Sequence, residues 1–268
     1  MQIDLARKAT LVNLSISQWY NKKTEPRALR PVSDAFNNAN VSEDKYVKTL
    51  VPVRAMEAIG SCISQTRKYH LRTTLAWDNE GLRILPAVMF FEYTQKMGEF
   101  KMKLENLVLD FMARYPQLVH NAKIVKSGLF IESDYPDVEE LRGAFEIRTT
   151  FMPFPSGQDF RLEIDDKLVE QLRSDTTREF ESRVVDAVAD VRNRFKEYLT
   201  DWDAAITAGS TRKSHAQKLR ALCDIAPKQN LIGDEKLTQM VARCEGLLTE
   251  TDPQFAQIRI KEILKEAA

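Results

Sequence analysis

Phe90, Tyr93, Met97, Phe100, Leu104, Leu107 and Phe111 fall three and four residues apart in strict alternation over three heptads. An α-helix turns every 3.6 residues, so these side chains form one apolar seam along its length. A helix with such a seam must lie lengthwise against another helix to cover it. The chain offers one obvious partner: from about residue 166 to 205, Phe180, Val184, Ala187, Val191, Phe195, Tyr198 and Trp202 recur at helical spacing. The spacing predicts an antiparallel pair of long helices, each roughly 50 Å long at 1.5 Å per residue. Pro86 fits just inside the start of the first, and Pro116 is expected to kink or end it.

Strand periodicity is confined to a few short runs. Residues 10–18 place Val12, Leu14 and Ile16 on one face and Asn13, Ser15 and Ser17 on the other, with Trp19 closing the buried side. Residues 147–152 and 159–164 alternate on either side of Ser156-Gly157, which reads as a β-hairpin. An isolated hairpin is marginal, so the 10–18 strand is its expected third member. Residues 21–34 read as an exposed loop. Ser42, Glu43 and Asp44 then signal a short helix running through Leu50, and Pro52 opens a second that reaches about His70. Residues 71–88 read as irregular, with a turn at 78–81. The expected fold class is α+β, mainly α: a long antiparallel helical pair with a small antiparallel sheet of about three strands. That core spans residues 1–206. A linker over 207–214 leads to a small C-terminal domain of three helices, 215–268, the last begun by Asp252 and Pro253.

Much familiar chemistry is missing. The nine glycines form neither a P-loop nor a dinucleotide fingerprint, and no Gly-x-Ser-x-Gly elbow occurs. His70, His120 and His215 are scattered, and Cys62, Cys223 and Cys244 have no zinc-ligand spacing. The acidic run Asp134, Asp137, Glu139 and Glu140 reads as the first turn of a helix, where carboxylates complement exposed amides. A non-enzymatic protein with no cofactor and no metal is expected. No apolar run approaches the roughly 18 residues of a membrane span. The opening MQIDLARKATLVNL lacks the apolar core of a signal peptide, and the three cysteines are too few and too scattered for a disulfide framework, so a reducing cytoplasm is expected.

Basic and aromatic residues are the more informative set. Net charge is zero, yet residues 1–127 carry 19 Lys/Arg against 12 Asp/Glu, and residues 128–268 carry 20 against 27. Such polarity suits an anionic polymer or head-to-tail self-association. Tyr20, Lys22, Lys23 and Arg27 make one basic-aromatic cluster, extended by Arg30. Arg67, Lys68 and Arg72, around Tyr69 and His70, make another. Binders of single-stranded nucleic acid combine cations that track the backbone with aromatics on which bases stack. Tyr20, facing away from Trp19 on an extended backbone, is the better stacking candidate.

The stretches LVNLSISQWYNKK, YHLRTTLAWDNEGLRILPAVMFFEY, MARYPQL and DYPDVEELRGAFEIRTTFMPFPSGQDFRL resemble a family of uncharacterised proteins from tailed bacteriophages. They are more distantly similar to bacterial and phage proteins found beside MoxR-type AAA+ ATPases and von Willebrand A-domain proteins. The likeness covers roughly residues 10–205, and GLRILPAVMFFEY is its most specific part. It implies a phage origin and an accessory role in the bacterial host cytoplasm. With the basic clusters, it leads to an expected oligomeric protein that binds single-stranded DNA in phage replication or recombination. Residues 215–268 are then free to dock a phage or host protein. The alternatives are a scaffold, an adaptor for an AAA+ partner, or an inhibitor of a host protein.

Overall fold

Helices dominate the chain, as its two long apolar seams require. A computed structural model describes residues 5–28, 45–78, 80–154, 166–209, 212–250 and 252–267. Among them the helices are α1 (Leu5–Lys8), α2 (Glu57–Thr73), α3 (Phe90–Lys126), α4 (Val138–Gly143), α5 (Asp166–Thr207), α6 (Arg212–Gln229), α7 (Glu235–Thr249) and α8 (Pro253–Ala267). The strands are β1 (Ala9–Ser17), β2 (Lys22–Thr24), β3 (Val47–Thr49), β4 (Leu75–Ala76), β5 (Leu82–Pro86) and β6 (Glu146–Met152). The protein is α+β and mainly α.

The main sheet has the order β4-β5-β1-β6, one strand more than the alternation suggests. β1 runs antiparallel to β5, from Ala9 opposite Pro86 to Asn13 opposite Leu82. On its other edge, the Thr10 hydroxyl donates to the Met152 carbonyl at 2.8 Å. The segment read as irregular, 71–88, therefore holds a hairpin. β4 is too short to establish a period and β5 buries three consecutive residues, Ile84, Leu85 and Pro86, so neither alternates; the turn is made by local chemistry. The Asp78 carboxylate accepts from the amides of Glu80 (2.9 Å) and Leu82 (3.0 Å), and Gly81 sits at φ 99°, which an L side chain rarely adopts. The expected strand at 159–164 lies outside the described residues.

A second, two-stranded sheet replaces the exposed loop and helix expected around Lys22 and Leu50. β2 pairs antiparallel with β3, Lys22 opposite Thr49 and Thr24 opposite Val47. The helix start signal at Ser42–Asp44 lies outside the described residues. Residues 47–49 are extended because β2 and the flanking bonds give the backbone a partner: Glu25 N donates to Tyr46 O at 2.8 Å and Leu50 N to Asn21 O at 3.2 Å.

Packing divides the chain into two units. One comprises Met1–Asn13, His70–Thr94 and Thr150–Ala268. Its core is continuous from Leu11, Leu75 and Ile84 through Val191, Phe195 and Trp202 to Leu219, Leu237, Cys244 and Ile260. The three C-terminal helices thus share one core with the sheet and α5. Sequence reading sets them apart beyond a linker at 207–214, because the turn around Gly209 looks like a boundary when packing is unseen.

The other unit comprises Leu14–Tyr69 and Gln95–Thr149. Here α3 packs on α2 and the segments beside it: Phe100 lies 5.9 Å from Tyr69, and Phe111 lies 6.2 Å from Trp19 and 6.3 Å from Phe145. Phe90 and Tyr93, at the start of the α3 seam, belong to the first unit and meet Phe151 and His70 there. The rest of that seam, and the seam of α5, are filled by shorter elements, where spacing alone assigns the two long helices to each other. Pro116 does not end α3, which continues to Lys126. An interior proline forfeits a backbone bond and crowds the preceding turn, about 3 kcal/mol in all, and the helix is held on both sides of it by burial, at Tyr115 and Ala122.

Candidate nucleic-acid interface

Where β1 ends, the chain presents consecutive residues in opposite directions. Trp19 turns inward and meets Tyr115 edge-on at 5.8 Å, while Tyr20 is 69% exposed. Lys22 and Lys23 come next on β2, both exposed. The backbone that carries them is pinned. Asn21 uses its whole amide on one residue: Nδ2 donates to Val51 O (2.8 Å), and Oδ1 accepts from Val51 N (2.9 Å). Together with the β2–β3 ladder this fixes the backbone from which Tyr20 and the two lysines leave the surface. A backbone held in advance has no freedom of its own left to lose when the side chains it carries engage a ligand.

Arg27 is placed differently from the role expected of it. Its guanidinium forks onto Glu25, Nε to Oε1 at 2.7 Å and Nη2 to Oε2 at 2.9 Å. Glu25 also accepts from Lys48 at 2.8 Å, and Lys48 in turn pairs with Asp134 at 2.8 Å and donates to the Leu129 carbonyl at 2.7 Å. Arg27 therefore belongs to a four-membered ionic cluster, of which it is the outer, exposed member. Sequence spacing could not reveal this, because Lys48 and Asp134 are distant in the chain. Asp134 is a partner of Lys48 and ends a single 3-10 turn, Glu132–Asp134, ahead of α4. Asp137 does take the helical role, capping α4 by accepting from Glu140 N at 2.8 Å.

The second expected cluster is split. Arg67 and Lys68 are exposed on α2, in the same unit as Tyr20, Lys22 and Lys23. Tyr69 beside them points inward onto Phe100 and offers no stacking face. Arg72 falls in the other unit, where it borders a cleft and its carbonyl accepts from Gln229 at 2.9 Å. His70 is buried there too, its Nδ1 2.7 Å from the Tyr93 hydroxyl, and burial lowers its pKa to about 4. Among the described residues no three His, Cys, Asp or Glu side chains are grouped to hold a metal ion. Nor is any described helix long and apolar enough to cross a membrane.

The ionic cluster makes stability pH-dependent. The Arg27 fork, with help from Lys48, holds the Glu25 carboxyl down at about 2, from an ordinary 4.5. A depressed carboxylate pKa stabilises the folded state fully above the unfolded value and loses that contribution as pH falls toward the folded one. Thermal midpoints tracked from pH 5 down to pH 2 are expected to drop more steeply for the native chain than for Glu25→Gln, which is already less stable at neutral pH. Parallel curves would show that Glu25 carries no linked protonation.

A scan against protein-family models finds no match, and searches of curated proteins and of solved structures find no similar chain.

Proposed function

We propose that the protein is a non-enzymatic, self-associating accessory protein of phage origin that binds single-stranded DNA in the host cytoplasm, during replication or recombination. One observation carries the reading: an exposed tyrosine, Tyr20, stands beside two exposed lysines on a backbone held by Asn21 and β3. Bases stack on such an aromatic whatever their identity, and ammonium groups track the phosphates. Arg67 and Lys68 add cationic surface within the same unit.

Fluorescence anisotropy with a labelled oligonucleotide tests this. Binding is expected to be tightest at low salt and to weaken as counterions compete. Lys22→Ala with Lys23→Ala should reduce the slope of log K against log salt by about 1.4, at roughly 0.7 per phosphate contact on a single strand. Tyr20→Ala should cost about 1–3 kcal/mol with little change in slope. A flat titration at low salt would overturn the proposal and leave the assembly reading, as scaffold or adaptor. Its own supporting observation is apolar surface at the start of α3: Phe91 is 85% exposed and Val88, just before the helix, 76%.

A further inference from the structure

A cleft of about 420 Å³ opens in the unit that contains the C-terminal helices. Three arginines border it from three elements: Arg72 on α2, Arg83 on β5 and Arg194 on α5. Val191 and Leu222 supply apolar wall, and the buried amide of Gln229 lies at its edge. The volume is that of a small-molecule site, and apolar walls with a few convergent polar groups are how such sites are built.

Arg83 is held in place by neutral acceptors. Its Nε donates to the Thr74 hydroxyl at 2.6 Å and its Nη2 to the Thr74 carbonyl at 3.0 Å. Those bonds orient the guanidinium without neutralising it. Arg194 is half-buried, and among the described residues it makes neither a hydrogen bond nor an ion pair. The carboxylates that face it, Asp190 and Glu197, lie on its own helix and are exposed. Asp190 also faces Arg83, as do Arg194 and the Tyr93 hydroxyl. Burial, and then Arg194, push Arg83 down to about 10; burial pushes Arg194 down as well. Two guanidiniums that repel one another in a half-buried cleft are stabilised by an anion placed between them.

We propose that this cleft binds a small phosphomonoester, its dianion received by Arg194 and Arg83 and its organic body resting on Val191 and Leu222. Guanidinium forks match the oxygens of a phosphate, and a dianion offsets both charges at once. The site is independent of the Tyr20 surface and carries no step of DNA binding.

Phenyl phosphate, which joins the dianion to an apolar ring, is the probe for isothermal titration calorimetry. The full chain is expected to bind it saturably, Arg194→Gln to bind it about tenfold more weakly or worse, and Arg194→Lys to fall between, since it keeps the charge but loses the fork. The thermal midpoint of each variant without ligand shows that it folds. Lys22→Ala with Lys23→Ala is expected to leave phenyl phosphate affinity unchanged. A 5′-phosphorylated oligonucleotide should fail to displace the probe; displacement would assign the cleft to a polynucleotide end and overturn the proposal. It is also overturned if the full chain gives no saturable heat, or if Arg194→Gln binds as tightly as the native chain.

Discussion

Phe195→Ala is expected to destabilise the protein by about 3–5 kcal/mol, the range for truncating a fully buried aromatic. Phe195 has no exposed surface and sits well along α5, in the core that joins β1, β4 and β5 to α6, α7 and α8. The cavity left behind cannot be closed from one side, because the residues around it belong to elements fixed by their own contacts. The informative measurement is amide hydrogen exchange. Protection should fall together at Leu11 and Ile84 in the sheet and at Leu219, Leu237 and Ile260 in the C-terminal helices. If the helices kept their protection while the sheet lost its own, they would be a separable module after all, and the shared core would be only adjacency.

Phe111→Ala should cost a similar amount, about 3–5 kcal/mol, in the other unit. Phe111 is wholly buried and packs against Tyr115, one turn on in α3, and against Trp19 and Phe145 from two other segments. Its removal reaches further than stability. Trp19 rests on it, and Tyr20 is the next residue, so the variant should bind single-stranded DNA less tightly under conditions where it remains folded. Urea denaturation gives the first quantity and anisotropy the second. A loss of stability below about 1 kcal/mol would mean that Trp19 and Tyr115 close over the gap, at odds with the tight packing typical of protein interiors.

Periodicity made the long elements legible. Phe100, Leu104 and Phe111 are buried where the seam places them, and Val184, Val191 and Phe195 likewise. β1 and β6 were readable for the same reason, since alternation over several residues leaves few other readings. The seam says that a helix must be covered and is silent on what covers it. α3 is met by Tyr69, Trp19 and Phe145, none of which carries a sign of that destination. Short strands escaped for want of length: Lys22–Thr24 and Leu75–Ala76 are too brief to show a period. At the candidate interface, the opposed directions of Trp19 and Tyr20 are a property of extended backbone and could be read in advance. The joining of Lys48 and Asp134 to the Glu25–Arg27 pair could not, nor could the meeting of Arg83 with Arg194, because both rest on segments brought together only by the fold.

The buried ammonium of Lys48 has a consequence for the order in which its unit assembles. It is answered by Glu25, 23 residues earlier in the chain, and by the carbonyl of Leu129, 81 residues later, with Asp134 just beyond. A buried ammonium is tolerated only where it is paired and hydrogen-bonded, and the segment after α3 brings two of its partners, the Leu129 carbonyl and Asp134. Loss of water by Lys48 and docking of that segment are therefore one coupled event: until the segment arrives, the ammonium stays hydrated.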